Sequence, residues 1–97
     1  MPERFTDEQL AVALRSLPAW QQEGDTLRRS VQAEDFPAAI RLVVAVAGTA
    51  EEMNHHPDID IRWRTLHFTL STHSAGGVTA LDLELAARID SLAAAEL

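Results

Sequence analysis

The 97 residues hold no cysteine, and fifteen Asp and Glu against eight Lys and Arg give a formal net charge of −7. That length suits one domain over residues 1–97 with a real hydrophobic core, and the 46% apolar content is ordinary for a globular chain. A disulfide framework, a thiolate metal site, a membrane-spanning helix and a basic surface for nucleic acid or an anionic membrane are all excluded as expectations.

The N-terminal stretch MPERFTDEQL carries charges where a signal peptide needs an apolar run, so the expected location is the cytoplasm. FTDEQLAVALRSLP predicts a helix. Thr6 can cap it, Gln9 completes a capping box, and Phe5 with Leu10 forms a hydrophobic staple. Leu10, Ala13, Leu14 and Leu17 make its apolar stripe, and Pro18 stops it. AWQQEGDTLRRSVQA predicts a hairpin turning at Gly24-Asp25. Leu27 and Val31 share one strand face, and Arg29 falls on that apolar side.

EDFPAAIRLVVAVAGTAEEMN predicts the long central helix. Asp35 is its cap, Pro37 lies in the first turn, and Phe36, Ile40, Val43, Val44, Ala47 and Ala50 line one side. Asn54 suits the helix end and Pro57 forbids continuation. DIDIRWRTLHFTLSTH then alternates. Ile59, Ile61 and Trp63 point one way, Leu66, Phe68 and Leu70 form a second inward set, and the phase change near Arg64-Thr65 marks a tight turn or bulge. SAGG is a loop. Thr79 caps a final helix with Leu81, Leu85, Ile89 and Leu92 on its core face. The expected fold is α+β, in the order α-β-β-α-β-β-α, a four-stranded antiparallel sheet with helices packed on one face.

Chemistry gathers at EEMNHHPD, where His55 and His56 sit side by side before Pro57. Histidine titrates nearest neutral pH, which suits it to proton transfer. A helix that ran through to His55 would put Glu51 and His55 on one face at i, i+4. Each of these residues also has a plain structural explanation. Glu51 can be a solvated helix-end acid, the histidines can face the negative end of the helix dipole, and His73 can be a surface residue. Asp82, third after Thr79, can simply be the acid of a capping box. Zinc or non-haem iron would accept these ligand types, but no HExxH spacing exists and adjacent side chains diverge, so no metal is expected.

Taken together, the residues read Glu51-x3-His55-His56-Pro57-x5-Trp63-x9-His73-x8-Asp82. This resembles the signature of the pterin-4a-carbinolamine dehydratases, also called dimerisation cofactors. The likeness runs from about Trp20 to the last helix and includes GD in the first turn, EDF, HFTLSTH and ARID. The resemblance implies a four-stranded antiparallel sheet with helices on one side and a homodimer or homotetramer. It implies dehydration of 4a-hydroxytetrahydropterin to quinonoid dihydropterin, which is then reduced back to the cofactor of aromatic amino acid hydroxylases. It also implies catalysis by His55, His56 and His73, supported by Glu51 and Asp82, without a metal or organic cofactor. The implied pterin contacts are His55, His56, Pro57, Thr72, His73, Ser74 and Ala75. Ser74 and Ala75 differ from some animal members, so theirs would be backbone contacts. Some animal members also dimerise a transcription factor through a helix, and a non-catalytic interaction module is the alternative.

Overall fold

The computed structural model describes residues 3–97. Its elements are α1 (Asp7–Ala13), a 3-10 turn (Leu14–Ser16), β1 (Gln21–Glu23), β2 (Thr26–Gln32), α2 (Phe36–Met53), β3 (Asp58–Arg62), β4 (Thr65–Leu70), a second 3-10 turn (His73–Ala75) and α3 (Ala80–Glu96). The sheet is antiparallel throughout, with strand order β1-β2-β4-β3. Both hairpins turn through two residues, Gly24-Asp25 and Trp63-Arg64. The connection from β2 to β3 must cross over β4, and α2 supplies the length.

Local chemistry accounts for the starts of the helices. The Thr6 hydroxyl accepts from the Gln9 amide and the Gln9 side chain accepts from the Thr6 amide, closing the expected capping box. The Asp35 carboxylate accepts from the Ala38 amide at 2.8 Å and begins α2. The core lies between the sheet and the helices, with Leu27, Leu66, Phe68 and Leu70 facing Leu42, Val46, Leu85 and Ile89, all nearly inaccessible to solvent. Arg29 shares the inward row of β2 with Leu27 and Val31. It is tolerated there because its guanidinium pairs with Asp90 of α3, which also accepts the Trp20 indole N–H.

Three expectations need correction. The buried side of α2 is Ala38, Ala39, Leu42, Val46 and Ala50, whereas Phe36 is 48% and Val44 66% exposed. This helix is apolar nearly all round, so the 3.6-residue period is legible but its phase is not. Trp63 is not on a strand face. It is the first turn residue, at φ 52° and 70% exposed, and lies under the Arg64 guanidinium at 4.8 Å. Ile61 pairs with Leu66 on the inner face but sits on the edge strand, where it stays partly open. Finally, β4 ends at Leu70, so His73 belongs to the 3-10 turn that follows it rather than to the strand.

Candidate active site

Four pieces of chain meet where α2 ends and α3 begins. Asn54 adopts the left-handed conformation at φ 49°, ψ 42°, and the helix closes in a Schellman arrangement. The His55 amide donates to the Ala50 carbonyl at 3.1 Å and the Asn54 amide to the Glu51 carbonyl at 3.2 Å. The reversal stops the helical spacing at Met53, so His55 is not one turn above Glu51. Pro57 and β3 follow directly, and the two histidine side chains diverge.

His55 points inward, its side chain 10% exposed, and Nε2 lies 2.6 Å from Oδ1 of the fully buried Asp82. His56 points outward, and its Nε2 lies 2.5 Å from Oε2 of Glu51. The expected juxtaposition of Glu51 with His55 is therefore replaced by two pairs, Asp82 with His55 and Glu51 with His56. Asp82 caps its helix and meets a histidine at the same time. Its Oδ2 accepts from the Thr79 amide at 2.9 Å, as a capping-box acid does, while its Oδ1 meets a histidine.

The third histidine arrives on the loop after β4. Thr72 and Gly77 bridge the base of this loop, through Thr72 N–H to the Gly77 carbonyl at 2.9 Å. Gly76 turns it at φ 71°. The N-terminal arm lies against it: the Phe5 amide donates to the Val78 carbonyl, and a side chain at Gly77 would run into Arg4, 2.7 Å away. His73 itself is exposed and has no side-chain hydrogen bond among the described residues.

His55, His56, Pro57, Thr72, His73 and Ser74 line one depression of about 310 Å3, together with Asn54, Asp58 and Ser71. Ala75 is outside this lining, in the same turn. Asp58 and Ser71 were not singled out in the sequence, and Asn54 was read there only as the end of the central helix, the left-handed position it takes before the histidine pair. A larger hollow of about 670 Å3 lies on the open sheet face, around Arg28, Ser30, Asp60 and His67. It contains a single histidine, bonded to Ser30 at 2.7 Å. The smaller depression is the better candidate, because three groups able to carry protons converge there. Among the described residues, no group of three His, Cys, Asp or Glu side chains is placed to hold a metal ion.

Comparison with known proteins shows the family. The family model described as “Pterin 4 alpha carbinolamine dehydratase” matches residues 3–92. A Nocardia farcinica protein named “Putative pterin-4-alpha-carbinolamine dehydratase” is 63% identical over 91 residues, covering 94% of this chain and 96% of its own. The crystal structure of a transcriptional coactivator/pterin dehydratase from Brucella melitensis superposes with a TM-score of 0.91 at 33% identity, covering 94% of this chain and 99% of that one. A pterin dehydratase-like protein identified as a RuBisCO assembly factor in the alpha-carboxysome shares the fold, with a TM-score of 0.64 at 23% identity over 76% of this chain and 86% of that one.

Proposed function

Because the chain belongs to the pterin-4a-carbinolamine dehydratase family, we propose that it dehydrates 4a-hydroxytetrahydropterin to quinonoid dihydropterin, with all 97 residues acting as one catalytic domain. The observation that carries this reading is the convergence of His55, His56 and His73 on one depression, the first two each set against a carboxylate. Hydroxide is a poor leaving group, so the 4a-oxygen must gain a proton as its bond to C4a breaks. The N5–H must lose its proton as the N5=C4a double bond forms, and the hydroxyl departs as water. One histidine gives a proton and another takes one, so the enzyme ends each turnover with the same number of protons. The pterin nitrogens supply the electron pair, and the step calls for no metal or organic cofactor.

Buried Asp82 and exposed Glu51 orient their histidines, while Pro57 and the 72–75 turn form the walls against which the pterin lies. The product is the form that a reductase returns to the tetrahydropterin used by aromatic amino acid hydroxylases, so the work of this protein is cofactor recycling in the cytoplasm. No helix among the described residues is long and apolar enough to cross a membrane. Neither nucleic acid nor a membrane surface is a partner, in keeping with the net charge of −7.

The protein acts as a homodimer or homotetramer. Support comes from the exposed stripe of α2 that includes Phe36 and Val44, and from the unpaired outer edges of β1 and β3. The same stripe favours the second reading, a non-catalytic interaction module. Purified protein and freshly generated 4a-carbinolamine separate the two. Dehydration well above the spontaneous rate is expected, and a rate equal to the spontaneous one would leave only the interaction role. Sedimentation at micromolar concentration should give at least a dimer mass, and a clean monomer would remove the oligomer.

A further inference from the structure

Asp82 is a fully buried carboxylate with more donors around it than a helix cap needs. Its Oδ2 lies 2.8 Å from the Thr72 hydroxyl and 2.9 Å from the Thr79 amide, and its Oδ1 lies 2.6 Å from His55 Nε2. The Thr72 and Thr79 hydroxyls are themselves 2.8 Å apart, both buried. A threonine hydroxyl has a single proton to give. The carboxylate oxygen can only accept, so the Thr72 proton goes to Asp82. Thr79 must then donate to Thr72, and its oxygen in turn accepts from the Leu81 amide at 3.3 Å. The result is a one-way chain: Leu81 N–H to Thr79, Thr79 O–H to Thr72, Thr72 O–H to Asp82. With Oδ2 saturated by two donors, Oδ1 is left for His55.

We infer that Thr72 and Thr79 are positioning residues, whose hydroxyl chain aims Asp82 Oδ1 at His55 and fixes its imidazole as the Nε2–H tautomer, leaving Nδ1 for proton exchange. This rests on the dehydratase reading above and adds to it a role for two side chains that touch no reacting atom. Thr72 has no polar group to spare for a ligand. Its hydroxyl is spent on Asp82, its N–H on Gly77, and its carbonyl accepts from the Ala75 and Gly77 amides. Thr79 is buried at the helix cap, out of reach of the depression. The chain matters because a histidine that exchanges protons needs one defined nitrogen facing the work, and a buried carboxylate free to rotate would let the ring present either.

The test reads the ring directly. Nitrogen-15 NMR of uniformly labelled, ligand-free protein should show neutral His55 as the Nε2–H tautomer. Thr72→Val keeps the shape and removes the hydroxyl. It should give a mixture of tautomers and lower kcat by about 10-fold or more with KM little changed, while Thr72→Ser should restore both. Thr79→Val should act through the same chain, so that adding it to Thr72→Val costs no further kcat, although it also lowers Tm by removing the cap. A wild-type His55 found mainly as Nδ1–H would overturn the inference without any variant. So would a folded Thr72→Val protein with the wild-type tautomer and kcat. Failure of the dehydratase reading looks different: wild-type protein would then be inactive on the carbinolamine while its tautomer spectrum stood unchanged.

Discussion

His55 and His56 are the same residue type one peptide apart, yet they occupy opposite environments. The His55–Asp82 pair has side-chain exposures of 10% and 0%, and the His56–Glu51 pair 55% and 78%. Their distances differ by only a tenth of an ångström, at 2.6 and 2.5 Å. Distance alone therefore says little about what either contact contributes. Outside, water screens the charges and competes for the hydrogen bonds, so such a pair contributes about 0–1 kcal/mol. Inside, neither partner has water to fall back on, and deleting one partner of a buried pair costs about 3–5 kcal/mol. Asp82 is moreover tied to three groups on two separate segments, whereas Glu51 holds His56 alone. A rigid donor–acceptor pair belongs to the buried histidine and an adjustable one to the exposed histidine.

The largest break in this comparison should come from the histidines themselves. Replacing His55 and His56 together by alanine should cost at least the roughly 100- to 10,000-fold expected of a single acid–base group. Circular dichroism should show the fold retained, and a double variant turning over at the wild-type rate would end the acid–base proposal. Next comes Asp82→Asn, which keeps the size and removes the charge. Turnover should fall by about 10- to 100-fold, well beyond what its lowered melting temperature explains; a lowered melting point with an unchanged rate would reduce Asp82 to a helix cap. Glu51→Gln is the matched change on the exposed side. It should lower turnover less than Asp82→Asn does and shift unfolding free energy by about 0–1 kcal/mol, measured by denaturant titration. If the order of the two carboxylates were reversed, burial would not be what separates them. Exhaustive chelation should have the smallest effect, leaving turnover unchanged. Loss of activity restored by one divalent cation would mean that the carboxylates serve a metal rather than the imidazoles.

Much of this was legible in the sequence because it is local. Thr6 with Gln9, Asp35, and Thr79 with Asp82 announced three helix starts, since a cap needs only residues within one turn. Alternation in β2 and β4 and the Gly24-Asp25 turn gave both hairpins, because strand faces follow a period of two. The spaced set from Glu51 to Asp82 named the histidines that do gather in one depression.

Pairing across the chain was decided only by tertiary structure. Asp82 is 27 positions from His55, and no periodicity links them; the docking of α3 against α2 brings them together. A left-handed Asn54 breaks the helical spacing, so Glu51 turns to His56 instead of His55. The phase of α2 was undecidable locally because both of its stripes are apolar, and only the packed sheet selects the one led by Leu42 and Val46. Trp63 left its strand for the turn because hairpin register depends on both strands at once. Sequence fixes what each residue can do with its near neighbours, but burial, which separates one histidine from the next, is a property of the assembled core.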